Sequence, residues 1–557
     1  MRTLTRLASA LAATTLTFAA PAIVTPSAHA DGGYIEGVGD DPVTAAPDVT
    51  RPDTRHCTVS LADHFLSNAA DGSPQSFSGT LTPPPDCKGP WSKVVLDFTS
   101  SVSGRQYDRD GHISVGGATI WYGTTAEPGG ATPTTFHFAK DVTRYSALFR
   151  QPEPFSGGIG NYTSDVYTGN YDQTATLTFY MADARHPAPH VPDKVVGVPV
   201  PDLSPGSSSA DVALPTLPRN LTAASLEVTL KGNGCDEQWF AGVPDSVATA
   251  MPGVCAAGPY REAAFGLDGT PVGAVGTYPH IYSGGIVPTL WRPVLGIGTL
   301  DMRPESLDLT PFVGNLVDGG THTLNVNMPR LNDRWGVTAT LFLDTDHHRA
   351  RTSGAVVSAK VQGAPTIAEH SHATGNSDEQ AYDATGTRND TATGYVDTSA
   401  GRIYTTTTYG RRLSQTGTIS DGGFVQAVDQ TDRVDQSSVS RVGKDGRIVR
   451  SSALHETYPL SFSYSAASYV DDNNYSLEGT VDMRQQVSSR VVDGGAPVVR
   501  GWDWDVDSYG IQARSGGTTS AKDGHSTSHY VGTDDLGRHH DKLITTEHGL
   551  VTSTVGE

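Results

Sequence analysis

The chain has 557 residues, and its 60 Asp and Glu against 39 Lys and Arg give a formal net charge of −21. So acidic a chain is not a nucleic-acid binder of the kind that works by neutralising phosphates, because such proteins present Lys and Arg to the phosphate backbone. With 61 Gly, 35 Pro and only 18% charged residues, the composition excludes a helical bundle or a coiled coil and favours strands and turns.

The first thirty residues have the pattern of a secretory signal peptide. Arg2 and Arg6 precede a run of Leu, Ala, Thr and Phe over residues 7–20, and Ala28 and Ala30 supply small residues at the cleavage-specifying positions. The apolar run is too short to span a membrane, and no later stretch approaches the ~20 apolar residues that a span needs. We therefore expect cleavage near Ala30 and a secreted, extracellular protein with no membrane span.

Turn-forming composition divides the rest of the chain. Residues 31–55 are Gly, Pro, Asp and Ala without periodicity and are predicted to be a flexible leader. The Pro, Gly and Ser between residues 191 and 209, and a second break near residue 350, then separate strand-rich regions. This gives a first domain at 56–190, a second at 191–350 and a C-terminal β-rich domain of unknown role at 351–557.

Apolar and polar residues alternate strictly in several segments of the first two domains. Ala175, Leu177 and Phe179 are interleaved with Thr, and the same period recurs around residues 225–231, 324–328 and 337–343. A period of two with Thr on the second face is typical of an antiparallel strand that buries one face. No stretch carries a sustained helical period, so the predicted class is all-β, built from sandwiches.

The four cysteines, Cys57, Cys87, Cys235 and Cys255, are an even number in a chain expected to be exported. Four cysteines allow three pairings. We favour Cys57–Cys87 and Cys235–Cys255, because each of these disulfides closes a short local loop. The tight spacing of a zinc site is absent, and no metal or cofactor is expected.

Two loops combine carboxylates with a position directly after a strand. The first contains Asp108, flanked by Arg105 and Arg109, and the second contains Asp236 and Glu237. Two carboxylates in different environments can divide the tasks of hydrolysis, one activating water and the other assisting the leaving group. An adjacent arginine could keep a carboxylate ionised or polarise a substrate carbonyl.

Each of these features also has an ordinary structural explanation. Trp121 and Trp239 would offer flat apolar faces to sugar rings. An Asp–Arg pair at a strand end, however, is more often a structural ion pair than part of a catalytic site. Acidic residues after a Gly-Asn-Gly run, such as Asp236 and Glu237, are more often part of a solvated turn. Spacing alone does not decide between catalysis and structure.

The chain resembles the peptide-N-glycosidase A family, amidases that remove N-linked glycans from asparagine. The resemblance is carried by seven segments in the same order between residues 56 and 346, at residues 93–128, 140–149, 167–180, 234–240, 260–275, 282–301 and 307–326. It implies an amidase acting on N-glycosylated peptides and glycoproteins, with no nucleic-acid partner, and we expect it to be a monomer. The C-terminal third carries no motif of this kind.

Two of these segments are also similar to the bacterial peptide-N-glycosidase F type, whose fold is a pair of jelly rolls with the active site at their interface. This implies two consecutive jelly-roll-like β-sandwiches followed by a third β-rich region. It also implies Asp108 as the principal catalytic carboxylate, with Arg109 beside it and Glu237 as the second. One extra residue separates Glu237 from Trp239 in this chain, so Asp236 stays an alternative for that role.

The resemblance also implies a third acidic residue from the first sandwich, for which Glu127 and Asp165 are both candidates. In the expected mechanism Asp108 activates or holds a water, Arg109 stabilises charge on the carbonyl oxygen, and Glu237 or Asp236 contacts the first sugar or assists departure of the glycosylamine. Two alternatives remain: a glycoside hydrolase, for which paired carboxylates would serve equally well, and a carbohydrate-binding protein with a degenerate amidase site.

Overall fold

The computed structural model describes residues 41–67, 75–128, 133–443, 445–466, 468–471 and 473–557. The predicted signal peptide lies outside these residues. The first region has eight strands: β1 (His56–Ser67), β2 (Phe77–Leu81), β3 (Trp91–Ser103), β4 (Asp110–Val115), β5 (Ala118–Thr124), β6 (Thr134–Asp141), β7 (Glu153–Ile159) and β8 (Asn170–Met181).

The second region has another eight strands: β9 (Lys194–Val198), β10 (Ser209–Ala213), β11 (Leu221–Gly232), β12 (Glu262–Leu267), β13 (Thr270–Gly276), β14 (Glu305–Asp308), β15 (Thr323–Asn327) and β16 (Trp335–Thr345). Two short helices, α1 (Asp245–Ala250) and α2 (Val313–Leu316), lie in its connections.

These sixteen strands form two antiparallel sandwiches of the same topology. In the first, the sheets run in the order β1-β8-β3-β6 and β2-β7-β4-β5; in the second, they run β9-β16-β11-β14 and β10-β15-β12-β13. Eight strands in two four-stranded sheets with this order make a jelly roll. The expected pair of consecutive jelly rolls, and the all-β class, are therefore confirmed.

The third region is one large antiparallel sheet, in which each strand from β19 onward pairs with the next along the chain and both β17 and β18 pair with β19. Its strands are β17 (Ser353–Lys360), β18 (Thr366–Ala373), β19 (Glu379–Thr398), β20 (Gly401–Ser420), β21 (Val425–Val442), β22 (Ile448–Ser465), β23 (Tyr475–Asp493), β24 (Val498–Ser515), β25 (Thr518–Thr533), β26 (His539–Glu547) and β27 (Leu550–Gly556).

This C-terminal sheet packs one face onto the second jelly roll. Leu413, Leu460 and Val506 are buried in the same apolar cluster as Leu226 and Leu341 of that jelly roll. The other face is largely polar and exposed. One buried face explains why the apolar pattern of this region is weaker than that of the jelly rolls, whose cores lie between two sheets.

The polar faces of the jelly-roll strands are not all exposed to solvent. On β11, Leu226 points into the core, as its alternation predicts, but Glu227 on the opposite face accepts a hydrogen bond from Arg144 Nη1 at 2.9 Å and another from the Tyr145 hydroxyl. The second face of β11 thus packs against the first jelly roll. The two sandwiches meet along this face, and the candidate site lies at the same interface.

The segment at residues 41–55 differs from the flexible leader expected there. Val43 forms a bridge with Val294, and Ala45 is fully buried. The Thr50 hydroxyl donates to Asp535 of the C-terminal sheet at 2.6 Å. Small residues without periodicity are packed here between the second jelly roll and the last strands, which composition alone does not reveal.

Both favoured disulfides are present, Cys57–Cys87 with Cα atoms 6.1 Å apart and Cys235–Cys255 with Cα atoms 5.4 Å apart. The first ties β1 to the turn before β3, and the second closes the loop that carries Glu237. No helix within the described ranges is long and apolar enough to cross a membrane.

Candidate active site

Asp108 lies in the loop between β3 and β4, at the interface of the two jelly rolls. The loop is fixed by Thr125, whose hydroxyl accepts from the Arg109 N–H at 2.9 Å and whose own N–H donates to the Arg109 carbonyl at 2.8 Å. Ser283 of the second jelly roll donates to the Thr125 carbonyl at 2.9 Å. These bonds place Asp108 against a loop of the other sandwich, where Gly284 N donates to Asp108 Oδ2 at 3.3 Å.

Glu127 follows β5 and faces the same glycine. A Cβ atom on Gly284 would lie 2.0 Å from Glu127 Oε2 and 3.2 Å from Asp108 Oδ1, so the two carboxylates approach each other beside this glycine, and a side chain there would displace the Glu127 carboxylate. Arg292 Nη2 lies 3.6 Å from Glu127 Oε1 and donates to the Glu127 carbonyl at 3.2 Å. Glu127, not Asp165, is therefore the acidic residue that the structure brings to Asp108.

Glu237 comes from the second jelly roll, in the loop after β11, and is half-buried. Its charge interacts with those of Asp108, Asp110 and Lys231. Lys231, at the end of β11, is 8% exposed, and its Nζ donates to Asn233 Oδ1 at 2.7 Å. Asp108 and Glu237, predicted from separate loops, thus lie in one cluster that also contains a buried lysine.

The three carboxylates have unequal proton affinities. Burial raises the pKa of Asp108 to about 6, opposed by the Gly284 N–H and by Lys231. Burial also raises the pKa of Glu127 to about 8, opposed by Arg292 and reinforced by Asp108. The pKa of Glu237 rises to about 8 because of burial and the charge of Asp108, with Lys231 opposing both.

Near neutral pH the cluster therefore holds one ionised carboxylate beside two protonated ones. An ionised carboxylate can accept a proton and a protonated one can donate it, so this arrangement provides a general base and general acids within one cleft. Among the residues that the structure describes, no three His, Cys, Asp or Glu side chains are arranged to hold a metal ion.

The Arg109 guanidinium makes its hydrogen bonds within its own loop and to Tyr162, and its charge lowers the pKa of Asp108. Its Nη2 donates to Gln106 Oε1 and to the Tyr162 carbonyl, each at 2.9 Å, and its Nη1 donates to the Tyr107 hydroxyl. These bonds tie the guanidinium to the loop that carries Asp108. The resemblance, by contrast, predicts that Arg109 contacts a substrate carbonyl oxygen. Arg105 is exposed, with its guanidinium carbon 5.3 Å from the centre of the Tyr167 ring.

Asp236 is fully buried and saturated with partners, which argues against the alternative role in substrate contact. Arg261 Nη2 donates to its Oδ1 at 2.7 Å, while the Asn332 N–H at 2.6 Å and Trp335 Nε1 at 2.9 Å donate to its Oδ2. A carboxylate with these partners ties the loop after β11 to the segment that leads into β16. Glu237 is its half-exposed neighbour and is left facing the cleft.

The two tryptophans proposed as sugar platforms lie in the cores instead. Trp121 is 1% exposed, stacks on Phe98 with ring centres 4.9 Å apart and donates from Nε1 to the Leu300 carbonyl at 2.9 Å. Trp239 is 3% exposed and packs edge-on against Phe240. Large aromatic side chains contribute most to stability when buried, and neither ring offers a face to a ligand here. Asp165 is exposed on the loop after β7.

Three further residues shape the cluster without being predicted from the sequence: Lys231, Gly284 and Arg292. Lys231 belongs to the polar face of the alternating segment at 225–231, and the turn-forming Gly-Asn-Gly directly after it is the one local feature that sets it apart. Gly284 and Arg292 are separated by seven residues of the loop 285–291, and both act on Glu127. Without the fold, nothing links this loop to Asp108.

Residues 42–362 match the family described as peptide N-acetyl-beta-D-glucosaminyl asparaginase amidase A. The chain is 28% identical over 482 residues, 80% of its length and 81% of the relative's, to peptide-N4-(N-acetyl-beta-glucosaminyl)asparagine amidase A of Prunus dulcis. Among solved structures, PNGF-II matches with a TM-score of 0.38 and 14% identity, covering 53% of this chain and 66% of that chain.

PNGase F, a glycosylasparaginase from Flavobacterium meningosepticum, also matches, with a TM-score of 0.34 and 14% identity over 52% of this chain and 96% of that one. Both structural likenesses are remote. The match to the family model, by contrast, covers more than half of the 557 residues. The family predicted from the sequence is confirmed: this chain belongs to the peptide N-acetyl-beta-D-glucosaminyl asparaginase amidase A family.

Proposed function

We propose that this protein is an amidase that hydrolyses the bond between an asparagine side-chain carbonyl and the N-linked glycan. It releases the glycan as a glycosylamine and leaves aspartate in the peptide. The observation that carries this proposal is the cluster of Asp108, Glu127 and Glu237 at the interface of the two jelly rolls, where both sandwiches contribute carboxylates and burial raises the pKa of each. Family membership supplies the substrate class, since the Prunus dulcis relative is named for this reaction.

Asp108 is the general base. It accepts a proton from a water whose oxygen attacks the side-chain carbonyl carbon, and the carbon–nitrogen bond then breaks. The Gly284 N–H, which donates to Asp108 Oδ2 at 3.3 Å, holds the carboxylate in orientation. The other water proton leaves when the new aspartic acid ionises, and exchange with solvent then returns Asp108 to its ionised form and the proton donor to its protonated form.

Glu237 is the general acid. Its raised pKa keeps it protonated near neutral pH, and it donates its proton to the departing glycosylamine nitrogen. The released amino sugar then loses ammonia spontaneously. Glu127, protonated under the same conditions, lies beside Asp108 at the Cβ side of Gly284 and donates a hydrogen bond to the substrate.

Arg109 is a positioning residue in this proposal. It holds Gln106, Tyr107 and the Tyr162 carbonyl together, and so fixes the loop that presents Asp108. Lys231 limits the rise in the pKa of Asp108 and Glu237. It thereby keeps Asp108 ionised in the working range of the enzyme.

Secretion belongs to the same proposal. The two disulfides fit an oxidising compartment, and the pattern of residues 1–30 supplies a signal for export. An N-terminal sequence of the protein recovered from culture medium tests this, with cleavage near Ala30 as the expected result. Recovery only inside the cell with residue 1 retained would contradict it.

Product analysis tests the reaction itself. The protein is incubated with a peptide carrying a single N-glycan, and the peptide product is identified by mass spectrometry. Aspartate at the former glycosylation site is the expected product, because the amide bond is cut. Asparagine that retains one N-acetylglucosamine would identify an endoglycosidase instead and overturn the proposal.

A further inference from the structure

A row of three glycines crosses the C-terminal sheet where it meets the second jelly roll. Gly479, Gly510 and Gly524 are paired in register on β23, β24 and β25. A Cβ atom on Gly510 would lie 2.7 Å from Leu290 N, and one on Gly524 would lie 2.4 Å from the Thr289 carbonyl oxygen. The missing side chains thus let the segment at 286–290 lie directly on the sheet.

This seated segment belongs to the loop that shapes the carboxylate cluster. Gly284, which contacts Asp108 and Glu127, precedes it, and Arg292, which lies against Glu127, follows it. The Thr289 hydroxyl also donates to the Ile511 carbonyl of β24 at 3.2 Å. The C-terminal sheet therefore supports the active-site loop from below.

The same face of the sheet continues past the glycine row. Side chains two residues apart on a strand share a face, so Leu477, Gln512 and Lys522 stand on the inward face next to the three glycines. Gln512 and Lys522 are paired across β24 and β25, and Gln512 Nε2 donates to the Tyr475 hydroxyl at 2.8 Å. Tyr475, Gln512 and Lys522 are all half-buried.

Lys522 lies close enough to Glu127 for its charge to favour the ionised carboxylate. Its two partners on the same face, Gln512 and Tyr475, extend from it along the inner surface of the sheet. A contiguous polar surface of the C-terminal sheet thus begins at the carboxylate cluster.

We propose that the C-terminal sheet forms one wall of the substrate-binding region, and that Tyr475, Gln512 and Lys522 bind the sugars of the N-glycan beyond the two N-acetylglucosamine residues next to asparagine. This inference rests on the proposed amidase function and names a subsite for its substrate. We call these three residues the glycan wall.

The chemistry of the glycan wall suits sugar more than peptide. Tyr475 stacks on Tyr469 with ring centres 5.8 Å apart and planes 18° apart, which fixes an aromatic surface with a polar tip. The Gln512 amide and the Lys522 ammonium add hydrogen-bond donors and an acceptor at fixed positions, which suits a ligand whose structure does not vary. The core of an N-glycan is constant, whereas the peptide around the asparagine varies.

Kinetics on two substrates test the glycan wall. The substrates are one peptide carrying a complete biantennary N-glycan and the same peptide carrying only N,N′-diacetylchitobiose. Tyr475→Ala, Gln512→Ala and Lys522→Met are each expected to lower kcat/KM on the complete glycan about threefold to tenfold, mainly through KM, as the loss of one polar contact predicts. The value for the chitobiose peptide is expected to stay unchanged.

Tyr509→Ala and Arg484→Met are the matched controls. Tyr509 and Arg484 lie on the outward face of β24 and β23, and their variants should leave both substrates unaffected. Equal losses on the two substrates by the wall variants, losses that follow peptide length, or no loss at all would overturn the glycan wall.

Binding separates this inference from the amidase proposal. The affinity of the free biantennary glycan is measured by calorimetry in the Asp108→Asn background, with and without Tyr475→Ala. Weaker binding with Tyr475→Ala supports the glycan wall even if the wild-type protein cleaves no glycopeptide. Equal affinity in the two variants, or no binding at all, overturns it even if the amidase is active.

Discussion

The carboxylate cluster and the contact between the C-terminal sheet and the second jelly roll both bury charge, but they pair it differently. At the sheet contact, Arg388 Nη2 lies 2.7 Å from Glu262 Oε1, and Arg411 Nη2 lies 2.6 Å from Asp432 Oδ2. In the cluster, Asp108 and Glu237 share the influence of Lys231, and the ion pair of Glu127 with Arg292 is longer, at 3.6 Å. A closely paired buried charge is typical of an ion pair that stabilises the fold. Carboxylates that share one cation at a longer distance can exchange protons instead, as acid–base catalysis requires.

A raised pKa does not distinguish the two regions by itself. Glu305, at the sheet contact, also has its pKa raised to about 8, because of burial and the neighbouring charge of Glu456. Arg303 reaches both carboxylates, with Nη2 3.4 Å from Glu305 and 2.6 Å from Glu456. What marks the cluster as a site is its place at the interface of the jelly rolls, with half-buried carboxylates contributed by both sandwiches.

Replacing Asp108 should have the largest effect on activity. Asp108→Asn removes the base while keeping the shape, and we expect kcat to fall by about 10³-fold or more, near the upper range for general base catalysis. Its Tm should not fall, because the variant removes a charge that burial disfavours. Asp165→Asn, which changes an exposed acidic residue of the same jelly roll, is the control and should retain full kcat. Full activity in Asp108→Asn would place the reaction elsewhere.

Substitutions at the adjacent residues Asp236 and Glu237 should have different effects, one on stability and the other on activity. Glu237→Gln is expected to lower kcat by about 10²-fold or more while the protein stays folded, since it removes a proton donor. Asp236→Ala leaves Arg261 buried without its partner and should reduce the free energy of unfolding by about 3–5 kcal/mol. Thermal unfolding and kcat measured on both variants separate the roles. An Asp236→Ala variant that is as stable as the wild type but inactive would assign the catalytic role to Asp236 and not to Glu237.

The pH dependence should report the unequal carboxylates. We expect kcat/KM to rise through about pH 6 as Asp108 ionises and to fall through about pH 8 as Glu237 loses its proton. Because Lys231 lowers both pKa values, Lys231→Met should move both limbs of the profile to higher pH. Arg450→Met, at an ion pair remote from the cluster, should leave the limbs in place, and unmoved limbs in Lys231→Met would remove Lys231 from the account.

Stability should show the smallest effect, with a definite sign. The folded state raises the pKa of Glu127 from an ordinary 4.5 to about 8, so the folded protein binds more protons than the unfolded chain between these values. The contribution of Glu127 to stability therefore declines as pH rises through this window. Glu127→Gln should make the decline of Tm between pH 5 and 8 shallower. An unchanged decline would mean that Glu127 is already ionised in the folded protein over this range.

Local patterns in the sequence predicted local structure well. The alternation around Leu177 and Leu226 located buried strand faces, and both disulfides followed from short loop closure. The family resemblance selected Asp108 and Glu237, which the fold brings into one cluster. All of these depend on residues that are near each other in the chain or on motifs that can be read directly.

Features that depend on how whole layers meet could not be read in this way. The local sequence around Trp121 and Trp239 predicts rings that are open to sugars. It carries no information about the other layer that packs on each ring. Alternation places Glu227 and Lys231 on the polar face of β11, and only the fold shows that this face is the interface between the jelly rolls. The support of the active-site loop by Gly479, Gly510 and Gly524 joins strands that follow the loop by about two hundred residues in the chain.

One labelling experiment tests the central claim most directly. A glycopeptide is cleaved in water enriched in ¹⁸O by the wild-type protein and by Asp108→Asn under single-turnover conditions. The account predicts that the wild-type product is a peptide with ¹⁸O in the new aspartate side chain, and that the folded variant produces none. A product that retains asparagine and N-acetylglucosamine, or equal ¹⁸O incorporation by the variant, would contradict it.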